Sequence, residues 1–305
     1  MYKKYNDTWL VKLLFDDALD TNNWFVRERV RAPLGLMTLG SSTGSYKTAA
    51  GSAPGHVSCN HSDQNSGCMQ AMQASRYESG QDNSPMYDAF PNCDGGRCGP
   101  QNGEFMNMSD FREGLVGPYI QMPLYDVGMT ALAVSEAEAL IELAPVINRT
   151  EVIPMLRARC ATIRAALNAH AWSEQLGIYS NKFTNCSAAD TSGCVFYPRI
   201  SPTSFFPLGA RAPSDDQAKT MMQKWLMDPT KFCVSPTGDS AGNKDTCYTG
   251  LPSISASDTA FPALGYWRGA PARSGPVARQ GCPVARLPNA DMLVHQGLFG
   301  ARSAS

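Results

Sequence analysis

Two helical patterns set back to back, from about Pro123 to Ala144 and from about Glu151 to Ala171, do most to limit what this chain can fold into. The first is rich in Ala and Leu, with Glu136, Glu138 and Glu142 giving it a solvent side. In the second, Ile153, Leu156, Cys160, Ile163 and Leu167 recur at three- and four-residue steps along one face. Such spacing marks amphipathic helices that must bury a stripe against a neighbour. Asp7 or Thr8 can cap another helix carrying Leu10, Val11, Leu13, Leu14 and Ala18. Asn22-Asn23 is expected to interrupt it, and Trp24–Val30 to resume it before Pro33. A short helix is expected over about 67–77. Ser214-Asp215-Asp216-Gln217 reads as a capping box, with serine at the N-cap and glutamine three residues on. It opens a helix over Ala218–Met227, stopped by Asp228-Pro229. No strand pattern alternates convincingly, although Ile178-Tyr179 and Val195-Phe196-Tyr197 could be short extended pieces. The chain reads as mostly α.

Between the helices lie connections of unusual length, roughly 40–66 and 78–122. Loops this long in a compact domain carry either a site or disorder. Trp9, Trp24, Trp172, Phe205 and Phe206, read as buried, argue against disorder. The segment Tyr77-Glu78-Ser79-Gly80-Gln81-Asp82-Asn83-Ser84-Pro85-Met86-Tyr87-Asp88 concentrates three carboxylates and two tyrosines around a Gly and a Pro. Gly opens backbone conformations closed to other residues, and Pro restricts its predecessor, so the loop is expected to hold one shape. Carboxylates beside aromatics suit sugar chemistry, in which rings stack on pyranose faces and acids protonate glycosidic oxygens. A capped surface turn would use the same residue types, and both readings stand at this point.

Charge and cysteines narrow the setting. The 305 residues carry a net charge of −1, with Lys and Arg not gathered in a stripe, so nucleic-acid binding has no electrostatic footprint. No apolar run reaches the length of a membrane span, and the N-terminal residues have no apolar signal core. Eight of the ten cysteines fall into local pairs around polar loops: Cys59/Cys68, Cys93/Cys98, Cys186/Cys194 and Cys233/Cys247. No CxxC knuckle is present, so these are read as disulfide staples rather than a zinc site, with free thiols as the alternative. Cys160 and Cys282 are expected to be unpaired. N-glycosylation sequons begin at Asn6, Asn60, Asn107, Asn148 and Asn185. Paired cysteines and sequons together point to the secretory pathway, the endoplasmic reticulum lumen or the extracellular space. With no signal sequence at its start, the chain is then expected to be a fragment of a longer protein.

An ordered set of blocks resembles glycoside hydrolase family 63, that of glucosidase I and of mannosylglycerate-hydrolase-like catalytic domains. The blocks are Trp24-Phe25 with Pro33-Leu34-Gly35 and Leu39-Gly40-Ser41, then Glu78-Ser79-Gly80-Gln81-Asp82-Asn83-Ser84-Pro85. Ala171-Trp172-Ser173, Gly177-Ile178-Tyr179, Ser201–Leu208 and Gly250–Ile254 follow, then Asp258-Thr259-Ala260-Phe261-Pro262 and Tyr266-Trp267-Arg268-Gly269. The resemblance implies an all-α fold, part of an (α/α)6 toroid over residues 1–269; the tail over 270–305 is expected to be disordered from its Ala-, Arg-, Gly- and Pro-rich composition. It also implies inverting hydrolysis of α-linked glucose or mannose in oligosaccharides without a cofactor, most like a mannosyl-oligosaccharide glucosidase. Asp82 matches the general acid of the motif. Burial among Tyr77, Tyr87 and Trp267 would raise its pKa as an acid catalyst requires. Trp267 and Arg268 resemble a substrate-facing pair, with a core Trp and a capping Arg as the alternative. Glu78 and Asp88 either order the loop or touch sugar, and Tyr77 and Tyr87 are taken together with Glu78 as substrate contacts. Trp9, Trp24 and Trp172 are read as core, and the four histidines form no constellation.

The chain departs from the family after Gly269. The family's general base is a Glu well beyond the Tyr-Trp-Arg-Gly block, whereas no Glu follows Glu174 here. Residues Gly269–Arg279 are instead built of Ala, Arg, Gly and Pro with a Ser and a Val, and Met292–Leu298 resembles a displaced helix end. An altered reading frame or a retained intron would account for both. As written, the chain is expected to be truncated before its base and nearly inactive. A carbohydrate-binding pseudoenzyme is the competing reading.

Overall fold

The computed structural model describes residues 5, 7–42, 78–80, 84–87, 119–184, 186–232, 252–259 and 261. Helix α1 (Trp9–Arg29) leads through a short strand β1 (Val30–Arg31) and a turn into β2 (Leu36–Ser42). Strand β3 (Tyr119–Tyr125) runs into helix α2 (Val127–Leu143), and helix α3 (Ile153–Ala166) follows, extended by a π turn over Leu167–Ala171. A hairpin of β4 (Trp172–Ser173) and β5 (Ile178–Tyr179) and a strand β6 (Lys182–Phe183) come next. The short helix α4 (Phe206–Gly209) and helix α5 (Asp215–Met221) complete the described elements, α5 ending in a π turn over Met222–Leu226.

Helix α2 is the hub. Val127, Gly128, Thr130, Ala131, Ala133, Val134, Ala137 and Leu140 are buried along it, and α1, α3 and α4 pack on it. Small residues let the neighbours approach: a Cβ at Gly128 would lie 2.6 Å from the Thr203 Cβ. On α3 the buried positions are Leu156, Cys160 and Ile163, continued by Leu167, which matches the face read from spacing. The expected solvent side of α2 is largely an interhelical one. Glu136 accepts a hydrogen bond from Asn22 of α1, and Glu138 pairs with Arg164 of α3, leaving Glu142 exposed.

Helix α1 is not interrupted at Asn22-Asn23. The Asn22 Nδ2 donates to the Ala133 carbonyl at 3.0 Å and to Glu136 at 2.8 Å, while Arg159 of α3 donates to Asn22 Oδ1. Asparagine breaks helices by bonding nearby backbone; with its side chain held by two other helices, that competition is lost. The buried face of α1 runs through Phe15, Leu19 and Asn22. Leu13 and Leu14, expected on the apolar face, are instead exposed, as is Trp9. Trp24 and Trp172 are half-buried, Phe205 is buried and Phe206 half-buried.

The strands are the main departure from the expected all-α picture. β1, β2, β3 and β6 form a four-stranded antiparallel sheet in the order β1-β2-β3-β6. Sequence alternation missed it because β2 is covered on both faces: Leu36, Met37, Thr38 and Leu39 are each about as buried as the next. A doubly covered strand shows no period of two. Pro123, read as the start of a helix, lies inside β3, and Asp126 is the N-cap of α2, accepting from the Met129 amide at 2.7 Å. The two expected extended pieces are present. Ile178-Tyr179 is β5, and Val195–Tyr197 runs against β6, with Phe183 N donating to Val195 O. The capping box at Ser214 has both of its hydrogen bonds.

Cys186 and Cys194 form a disulfide with a Cα–Cα distance of 5.1 Å, and Cys160 is free and buried, its thiol pKa pushed up by burial. The other cysteines, and the tail over 270–305, lie outside the described residues. Asn148 of one sequon is exposed at a left-handed position between α2 and α3.

Candidate active site

The segment singled out by its carboxylates comes to lie where α1, the β2–β3 pair and the start of α2 meet. Glu78–Gly80 and Ser84–Tyr87 are described, whereas Asp82, Tyr77, Asp88, Trp267 and Arg268 lie outside the described residues. Both described flanks are fastened to the body of the fold, each by different partners.

On the N-terminal side, Glu78 receives Arg29, the last residue of α1. Arg29 Nε donates to Oε2 at 2.9 Å and to Oε1 at 3.1 Å, and its NH2 group also donates to Oε1. The amide of Gly40 in β2 adds a hydrogen bond to Oε2 at 2.8 Å. Arg29 is 2% exposed, and a charge so far from water requires a partner of this kind. Its guanidinium also lies 4.7 Å from the centre of the Trp24 ring. Of the two roles considered for Glu78, this geometry is that of loop ordering. Gly80 then turns the chain at φ +68°, a left-handed value that glycine adopts at no steric cost.

On the C-terminal side, Ser84–Tyr87 form a single 3-10 turn, closed by Tyr87 N to Ser84 O at 3.0 Å and Met86 N to Ser84 Oγ at 3.2 Å. The Pro85 carbonyl accepts from Arg199 NH1 at 2.6 Å and lies 3.5 Å from the Tyr197 hydroxyl. Arg199 in turn stands 3.5 Å from the Asp258 carboxylate, with Arg199 buried and Asp258 partly buried. Two of the sequence blocks, the Ser79–Pro85 motif and the one beginning at Asp258, are thus joined through an arginine belonging to neither. Tyr87 is fully buried rather than open to a ligand, and its hydroxyl donates to Asp126 Oδ2 at 2.9 Å.

Asp126 was not singled out from the sequence. Its signal was an Asp directly before the apolar run Val127–Leu143, a helix N-cap that the reading from Pro123 overran. Removal from water pushes its pKa up, and hydrogen bonds from the Met129 amide and the Tyr87 hydroxyl oppose that. Asn181 also accepts from Val127 N at 2.9 Å. Arg29 and Arg199 were missed for another reason: the contacts lie 49 and 114 residues away along the chain, and nothing local marks them.

Elsewhere, a cavity of about 660 Å³ opens between the β4–β5 hairpin and α5, lined by Asn168, Trp172, Glu174 and Gln217 among others, and it holds none of the expected site residues. Among the described residues, no three His, Cys, Asp or Glu side chains could jointly hold a metal ion, and no helix is long and apolar enough to cross a membrane.

Comparison with known proteins bears on the same region. The sequence model of the mannosylglycerate hydrolase MGH1-like glycoside hydrolase domain matches residues 1–271. No curated protein sequence matches the chain significantly. Among solved structures, the fold is similar to a GH63 mannosylglycerate hydrolase from Thermus thermophilus in complex with Tris. That match has 17% identity and a TM-score of 0.50, covering 85% of this chain and 54% of that one. The same enzyme with Tris and D-glycerate matches at 17% identity and a TM-score of 0.50, over 85% and 55%. An uncharacterized conserved protein of the same organism matches at 17% identity and a TM-score of 0.48, over 85% and 53%. This chain therefore spans about half the length of the structures it resembles. At such identity the likeness is one of fold, a helix-rich glycosidase fold that includes strands. The family model, covering all of the described residues, goes further: the chain belongs to the mannosylglycerate hydrolase MGH1-like glycoside hydrolases.

Proposed function

We propose that residues 1–269 are part of an (α/α)6 catalytic domain that hydrolyses α-linked glucose or mannose in oligosaccharides with inversion, with Asp82 as its general acid and 270–305 as a tail outside the domain. The observation that carries this reading is the Ser79-Gly80-Gln81-Asp82-Asn83-Ser84-Pro85 motif lying within the family-matched residues 1–271. An acid must be delivered to the glycosidic oxygen within hydrogen-bond reach, while a second carboxylate, roughly 6.5–9.5 Å away, activates water. Tyr77, Trp267 and Arg268 are the sugar contacts in this reading. Glu78 and Tyr87, held by Arg29 and Asp126, support the loop from beneath. The Cys186–Cys194 disulfide and the exposed Asn148 sequon support a secretory location.

One observation favours a second reading. No Glu follows Glu174, so the base that the family places after Tyr266-Trp267-Arg268-Gly269 has no counterpart in this chain. A carbohydrate-binding pseudoenzyme would keep the aromatic contacts without turnover.

Assays on p-nitrophenyl α-glucoside, p-nitrophenyl α-mannoside and glucosylated oligosaccharides, with the product anomer followed by proton NMR, test both. Turnover with inversion, reduced about 10²- to 10⁴-fold on sugar leaving groups by Asp82→Asn, is the expected signature of acid catalysis. Full turnover in that variant would remove Asp82 from the mechanism. Oligosaccharide binding by calorimetry without turnover would establish the pseudoenzyme.

A further inference from the structure

We propose that Asp126 and Tyr87 are positioning residues for the acid at Asp82, with Asp126 holding the Tyr87 hydroxyl and so setting where the C-terminal end of the acid's loop can lie. This rests on the assignment of Asp82 made above.

The fold gives Asp126 more fixity than a helix cap needs. Its amide donates to the Met37 carbonyl of β2 at 2.7 Å, and its carbonyl accepts from Thr130 N at 3.1 Å and Thr130 Oγ1 at 2.5 Å. The same Thr130 hydroxyl accepts from Met37 N at 2.9 Å. Asp126 is thus locked at the junction of β2, β3 and α2. An Asn or Ser would serve the cap equally well at much lower desolvation cost. One carboxylate oxygen, Oδ1, makes the cap to Met129; the other, Oδ2, faces the loop and takes the Tyr87 hydroxyl. A buried carboxylate at this position is explained by that second contact.

Tyr87 transmits the restraint. Its ring is buried, and the 3-10 turn makes Ser84–Tyr87 one unit, so a fixed hydroxyl fixes Ser84, two residues after Asp82. Two residues of chain reach at most about 7 Å, and glycosidic bond cleavage responds to misplacements of about 1 Å with losses near 10²-fold. The bond to be broken is the one between the anomeric carbon and the glycosidic oxygen; its electron pair stays on that oxygen, which takes the Asp82 proton, while a water oxygen forms the new bond to the anomeric carbon and that water releases a proton to solvent, from which Asp82 is reprotonated.

The discriminating readout is leaving-group dependence. Departure of an alkoxide needs the acid's proton and departure of fluoride does not. A missing base slows both reactions alike, so their ratio still reports on the acid. The substrates are methyl α-glucoside and methyl α-mannoside against the α-glucosyl and α-mannosyl fluorides, with Tyr87→Phe, Asp126→Asn and Asp82→Asn compared with the parent chain. Tyr87→Phe is expected to lower kcat on the methyl glycoside about tenfold or more, with KM and the fluoride rate within about twofold, in the pattern of Asp82→Asn. Equal losses on both substrates would reduce the pair to a structural role and overturn the proposal. If Asp82→Asn itself shows no such split, the assignment of the acid fails instead. Should Tyr87→Phe not fold, Asp126→Asn is read in the same way, since its amide can still cap α2. If neither substrate turns over, carbon-13 NMR of labelled aspartates follows the Asp82 carboxyl, identified by its loss in Asp82→Asn. A titration midpoint that moves in Tyr87→Phe supports the pin, and an unchanged one overturns it.

Discussion

Asp126 is fully buried, and its folded pKa lies above the ordinary 3.8 because the carboxylate has left water, the Met129 and Tyr87 donors notwithstanding. The folded state therefore holds the Asp126 proton more tightly than the unfolded one. The stability this contributes is fully present below the unfolded pKa and is lost as pH rises through the folded value. Replacing Asp126 with Asn removes that dependence. Urea titrations at a series of pH values from about 3.8 upward are expected to show the parent chain losing stability relative to Asp126→Asn. Parallel profiles would mean that folding does not favour the protonated carboxyl. At this scale the sequence exposed the motif, and with it Glu78, Asp82 and Tyr87, because unusual residues adjacent in the chain are visible as such. The partners Arg29, Asp126 and Arg199 became visible only once the chain had folded back on itself.

Helix α1 shows how an element can contradict its local sequence. Asn22 looks like a helix breaker, yet its amide donates to Ala133 and Glu136 of α2 and its carbonyl oxygen accepts from Arg159 of α3. Asn22→Leu is expected to destabilise the protein by about 3 kcal/mol in urea, since it strips partners from two charged groups and a carbonyl in a part-buried setting. Were the asparagine merely tolerated in the helix, leucine's higher helix propensity would make the variant more stable instead. Helices α2, α3 and α5 were legible because their stripes or caps are local. The sheet was not, because β2 is apolar on both faces and β3 contains a proline that also suits the first turn of a helix.

At the scale of the whole molecule, one apolar surface stands out among the described residues. Tyr5, Trp9 and Leu13, spaced four apart, are 63%, 57% and 59% exposed, with Leu14 at 47% beside them. A stripe of this kind on a helix normally faces a neighbour. The double substitution Trp9→Lys with Leu13→Glu is expected to shift sedimentation velocity toward the monomer and raise solubility. The same distribution for parent and variant would show that this face does not drive association.

By itself the sequence determined the glycosidase family, the helical majority, the Cys186–Cys194 pairing and the identity of the loop that carries Asp82. All of these are written in contiguous residues or in the order of short blocks. Only the tertiary structure decided how that loop is held. Burying Arg29, Asp126 and Arg199 forces each to find a partner, and the partners they find are the two ends of the loop. Desolvation acts on a side chain's final surroundings, and those surroundings here come from segments 39 to 114 residues away.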